Sequence, residues 1–320
     1  MIWVTWAQHR REALVTGLVL AVAAALLVIT GLNMLADFER SGIARCVAQG
    51  IRAVGVFATG TSCDAVTGAF PISWHRLTLP ATLALMTLPA LLGVFIAAPL
   101  LSREFEQGTY LLAWSQSITK LRWAVIKVGL IAAAVVTASS GLAVLVIWWH
   151  GPLDVAGFNG PWDAFEIEGL APVAYATFAL ALGTLAGLLI RRTVPAMALT
   201  LFVFAGVRLL IAQIRPHFLA SVTGNAQGMM QGSWVISPDY YVDTQGHHLS
   251  LEQVNGVISG CSVATGGSPM DCLNQHGIRL LADYQPLDRF WTFQLIEAAL
   301  FFVLAIGLVA ISLWWLQRRL

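Results

Sequence analysis

Apolar residues in this chain fall in long unbroken blocks, with neither the alternation of a half-buried strand nor the one-sided stripe of a soluble helix. Six blocks stand out: Ala13–Leu32, Pro80–Leu101, Ala124–Trp149, Leu170–Ile190, Val194–Ile214 and Phe290–Leu316. Each matches the ~20 residues that a helix needs to cross roughly 30 Å of hydrocarbon. Only helices and closed barrels satisfy their backbone in lipid, and blocks this continuous exclude a barrel's alternation. The pattern predicts an all-α polytopic membrane protein, a single transmembrane domain over residues 1–320 with six spanning helices. Trp148, Trp149, Trp291, Trp314 and Trp315 gather at span ends, as aromatic belts do.

Composition agrees. The chain is 58% hydrophobic and 11% charged, whereas soluble domains sit near one-quarter charged. A net charge of +1 argues against a nucleic-acid partner, which needs a concentrated basic footprint. The first block is too long for a signal-peptide core and lacks a small-residue cleavage pattern after it, so it reads as a retained span. The fourth and fifth blocks are parted only by Arg191-Arg192-Thr193. Each arginine would cost ~2.5–3.5 kcal/mol at a helix centre, so a tight surface turn is expected, with Pro195 in the first turn of the next helix.

Six spans put both termini on one side, and charge selects that side. Arg10, Arg11, Arg103, Lys120, Arg122, Lys127, Arg191, Arg192, Arg318 and Arg319 crowd the short segments of one face. Arg40, Arg45, Arg52, Arg76, Arg215, Arg279 and Arg289 are spread through long loops on the other. The positive-inside rule makes the first face cytoplasmic. Cysteines agree, because Cys46 and Cys63 lie in one outward loop and Cys261 and Cys272 in another. One disulfide per loop, worth roughly 3 kcal/mol, is expected in an oxidising compartment, although spacing alone leaves three pairings and free thiols open. The outward segments, residues 34–79, 150–169 and 215–289, hold most of the polar mass. The loops before spans two and six are expected to build a small extracellular cap.

Two cytoplasmic segments have patterns of their own. In residues 1–12, Ile2, Trp3 and Trp6 recur at helical spacing ahead of His9, Arg10 and Arg11. This suits a short interfacial helix, the alternative being the frayed first turn of span one. The connection over residues 103–123 opens with Arg103, Glu104 and Glu106, passes Gly108 and Thr109, and continues with Tyr110, Leu111, Leu112 and Trp114. Its apolar face fits a partner's groove or, alternatively, the lipid surface.

The run Glu104-x-Glu106-x-Gly108-Thr109, then Leu112-Ala113-Trp114-Ser115-Gln116-Ser117, then Lys120-x-Arg122-Trp123 and Lys127, resembles the permease subunits of type-2 ATP-binding cassette (ABC) transporters. It is similar above all to stand-alone permeases common in Actinobacteria and other Gram-positive groups, which implies a bacterial plasma membrane. In that family the connection docks on the ATPase. By the resemblance Glu104, Glu106, Gly108, Thr109, Tyr110 and Trp114 would carry the contact. The resemblance also implies two ABC ATPase subunits, each holding Mg-ATP, and a permease homodimer. The chain itself has no G-x-x-x-x-G-K-[ST] motif to cradle phosphates, so no cofactor and no ATPase activity of its own are expected.

Within the spans, Arg208 and Glu297 are each expected ~10 Å below the outer surface, within reach of one another. The alternative has Arg208 snorkelling outward and Glu297 protonated or facing water. Gly183 and Gly187 form a G-x-x-x-G that suits close helix packing, within the chain or across a dimer. His247, His248 and His276 with Asp239, Asp243 and Asp271 match no metal-ligand spacing and read as solvated loop residues, so no metal is expected. The leading function is the permease of an ATP-driven exporter for a hydrophobic or amphipathic substrate such as a drug, lipid or peptide. The rivals are a membrane sensor or anchor with a ligand-binding cap, and a membrane-embedded enzyme.

Overall fold

A computed structural model describes residues 2–48, 62–108, 119–156, 160–225, 232–237, 239–261 and 269–319. The helices are α1 (Ile2–Ser41), α2 (Ile43–Ala48), α3 (Ser62–Leu92), α4 (Ala98–Gln107), α5 (Lys120–Ala156), α6 (Ala171–Ile190) and α7 (Thr193–Ile214). After them come β1 (Val222–Asn225), β2 (Trp234–Val235), β3 (Tyr240–Val242), β4 (His248–Leu249), α8 (Leu251–Gly260), α9 (Pro269–Gln275), β5 (Arg279–Gln285) and α10 (Phe290–Arg319). Among the described residues, six helical stretches are long and apolar enough to cross a membrane: Thr16–Ser41, Ala69–Gln107, Lys120–Ala156, Ala171–Ile190, Thr193–His217 and Leu287–Arg318.

α6 is the central helix. It packs on α10, α4, α7, α5 and α3, and is buried nearly all round. Its sequence explains the position, because alanines and glycines let neighbouring backbones close in. A Cβ on Gly183 would stand 2.6 Å from the Gly93 carbonyl, and one on Gly187 2.5 Å from that of Ala98. The G-x-x-x-G pair therefore faces span two of the same chain. Tyr175 and Phe178 project from α6 onto Phe301 of α10, and Phe178 also stacks on Phe204 of α7.

Span two is one rod made of three pieces. α3 contains Pro71, Pro80 and Pro89, and between α3 and α4 the helix widens into a π turn, Gly93–Ala97. The Ala98 N–H there donates to the carbonyl of Gly93, five residues back. α1 packs on α5 at the end near Ser41, where Gly31 makes room for Trp148 and Trp149 and the Trp149 indole donates to Thr30 at 3.0 Å. α6 and α7 join through the expected tight turn: Arg191 is left-handed at φ 56° and Arg192 is extended.

Side chains on the bundle perimeter invert the soluble pattern. Leu18, Leu26, Phe202, Leu209, Val303 and Ile306 are all exposed, as a lipid-facing surface requires.

Three expectations change. The fold is mostly helical but not all-α, since β1–β5 form an antiparallel sheet ordered β1-β5-β3-β4 with β2 also paired to β5. α8 and α9 pack beside it through Val254, Leu273 and Ile278, and the Cys261–Cys272 disulfide joins them, Cα atoms 6.3 Å apart. Residues 2–12 form no separate helix but begin the continuous α1. Much of residues 34–79, expected as a loop, is helix, because α1 and α3 overrun the apolar blocks. Cys46 is disulfide-bonded, while the side chain of Cys63, its expected partner, lies outside the described residues.

Candidate functional site

Chemistry gathers at the two ends of the bundle: the end carrying the sheet, and the end where α4 meets α5 and α6 meets α7. At this second end α4 stops at Gly108, whose φ of 70° suits glycine as a left-handed helix cap. The carboxylates just before it each bond to a neighbouring helix, Glu104 from a part-buried position and Glu106 from an exposed one. Glu104 accepts a hydrogen bond from the Lys127 ammonium on α5, both side chains nearly buried. Glu106 accepts from the Thr193 backbone N–H at 3.1 Å and its hydroxyl at 2.6 Å, so it caps the N-terminus of α7. The Arg191 guanidinium lies over the Phe105 ring at 5.6 Å. Thr109, Tyr110 and Trp114 lie outside the described residues. The two expected coupling carboxylates thus fasten the end of span two to spans three and five.

At the sheet end a buried charge network ties four segments together. Glu166 pairs through one oxygen with Arg208 at 2.6 Å and through the other with Arg215 at 3.0 Å. Arg215 also grips Glu297 on α10, from Nε at 2.6 Å and Nη2 at 2.9 Å. The Tyr175 hydroxyl on α6 donates to Glu297, and the Arg208 guanidinium lies 3.6 Å over the Tyr175 ring. Arg215 sits 4.5 Å over Phe165. Two arginines and two carboxylates balance, which is what low-dielectric burial demands. Arg208 and Glu297, placed within reach of one another by their depth in the spans, share this network, but each has its ion pair elsewhere. Glu166 and Arg215 fall in segments that the sequence predicts as loops. The available signal was the seven-residue spacing of Arg208 and Arg215, which puts both on one helix face.

Gln294 fixes this assembly in place. Its side-chain oxygen accepts from the Leu170 and Ala171 N–H groups at 3.1 and 2.9 Å, and its amide donates to the Phe165 carbonyl at 2.8 Å. α10 thereby caps α6, whose own N-cap residue, Leu170, makes no side-chain cap bond.

Two residues after Glu166, Glu168 is buried beside Asp154 and His150 of α5. Burial, reinforced by the Asp154 charge, pushes the Glu168 carboxyl up to about 9. In the β3–β4 hairpin, by contrast, the His247 N–H leads a set of bonds that hold Asp243 below its ordinary range. His247 pairs with Asp243, and His276 stands by the Cys261–Cys272 disulfide.

Six apolar helices, a central small-residue span and charges paired inside the bundle define a multi-pass helical membrane protein. Residues 17–215 match the family described as ABC-2 membrane transporter related, and the chain belongs to that family. No curated protein and no solved structure matches it.

Proposed function

We propose that this chain is the membrane-spanning permease subunit of an ATP-driven ABC exporter in a bacterial plasma membrane. A separate ABC ATPase, in two copies holding Mg-ATP, supplies the energy, and two copies of this chain form the path. Both termini are cytoplasmic in this reading, and the sheet is an extracellular cap. Family membership over residues 17–215 carries the proposal. The α4 end supports it: residues 109–118 lead directly from Gly108, and Glu104 and Glu106 just before it are braced against α5 and α7.

The coupling roles then divide. Tyr110 and Trp114, with Gly108 and Thr109, contact the ATPase, while Glu104 and Glu106 pass its movement to spans three and five. A hydrophobic or amphipathic substrate suits the apolar spans, whose helices carry few charges.

The test is co-expression with an ABC ATPase, reading both membrane retention of the ATPase and ATP-driven movement of a fluorescent amphiphile. Trp114→Ala is expected to release the ATPase from the membrane. Glu104→Gln is expected to retain it but lose transport. An ATPase that never associates with the wild-type chain would defeat the proposal.

A further inference from the structure

His150 and Asp154 stand one turn apart on α5 and so share a face. Glu168 reaches the same point from the segment that leads into α6. His150 Nδ1 lies 2.6 Å from an Asp154 oxygen and 3.4 Å from Glu168 Oε1. One ligand atom from each residue falls within a 4.8 Å group.

Burial makes this trio unusual. His150 is 8% exposed and Glu168 3%. Glu168 Oε1 is enclosed and has no hydrogen-bond partner. Neighbouring Glu166 holds two arginines, but among the described residues Asp154 and Glu168 have no ion-pair partner except His150. A buried carboxyl oxygen without a hydrogen bond, whose one ion-pair contact is an imidazole held more closely by Asp154, is costly and calls for an explanation. One imidazole and two carboxylates form a ligand set suited to a divalent cation of the zinc class.

We propose that His150, Asp154 and Glu168 bind a zinc-class divalent cation that joins the end of α5 to the segment entering α6. A tetrahedral cation with bonds of ~2.0–2.1 Å spaces its ligands roughly 3.3 Å apart. The 3.4 Å contact already has that spacing, and a small rotation of Asp154 opens the 2.6 Å one. The cation supplies the positive charge that Glu168 lacks, and a fourth position stays open to water. Because Glu166 lies two residues from Glu168, occupancy also steadies the segment that anchors Arg208 and Arg215.

Cobalt(II) titration of the chelator-treated, detergent-purified full chain tests this directly. The expected result is one equivalent of visible d–d absorption, removed by one equivalent of zinc. His150→Ala and Glu168→Gln should each weaken binding by more than the roughly 10–100-fold typical of losing a supporting residue around a metal. Asp154→Asn, a gentler change, serves if either variant fails to fold. His247→Ala and His276→Ala, at exposed histidines, should leave the titration unchanged. Absence of saturable binding by the wild-type chain would overturn the proposal. So would absorption that survives in the site variants and disappears with His247→Ala or His276→Ala.

Discussion

Glu166 uses both carboxylate oxygens, one on each arginine, and Arg215 passes the connection on to Glu297. Glu297 is almost fully buried, so removing a partner strands a charge, at a cost of about 3–5 kcal/mol. Arg215→Met and Glu297→Gln should each lower the thermal unfolding midpoint in detergent by several degrees. A double-mutant cycle on Glu166 and Arg208 should give a coupling of about 0.5–3 kcal/mol, larger than a cycle on Arg208 and Glu297. The reverse order would restore the direct pair that spacing alone suggests. Arg208 and Glu297 are conspicuous in sequence because charges within apolar runs are rare. Glu166 is not, since residues 150–169 read as an acidic loop and nothing local shows them folding beneath α10. The Gln294 bonds that draw that segment inward join residues over 120 positions apart.

Helices were legible in proportion to their apolar length. All six spans follow from block hydropathy, but the continuations of α1 and α3 do not, because polar helix beyond the hydrocarbon has no special pattern. The strands hid for another reason. β1–β4 hold two to four residues each, too few to show a period, and only β5 has the length to do so. Gly183 and Gly187 were visible, but not the helix they meet. Their contacts with Gly93 and Ala98 predict that Gly183→Val or Gly187→Val forces α6 off span two and destabilises the bundle by about 1–3 kcal/mol. Gly17→Val meets nothing within 4 Å and should be near neutral. Thermal unfolding beside size-exclusion chromatography separates the cases, since a glycine pair at a dimer face would instead change the oligomer.

Across the whole molecule the two ends divide the chemistry, with paired charges and the sheet at one and the braced α4 terminus at the other. The orientation proposed above makes Gln245, exposed in the β3–β4 hairpin, reachable from outside the cell. A membrane-impermeant maleimide should therefore label Gln245→Cys in intact cells and Arg318→Cys only after lysis; the opposite pattern would invert the topology. Span two connects the ends, and its π turn has a geometric consequence. A π turn holds one more residue than the α-helix it interrupts, and each residue advances a helix by about 100°. The faces of span two before and after Gly93–Ala97 are therefore out of phase, and no single helical wheel describes both. Deleting one residue there should let the rod relax to uninterrupted α-helix with Glu104 and Glu106 still facing Lys127 and Thr193, whereas an α-helical path that kept every residue would swing them about 100° away. The phase of those two carboxylates is stored ten residues upstream, in a wide turn that carries no charge.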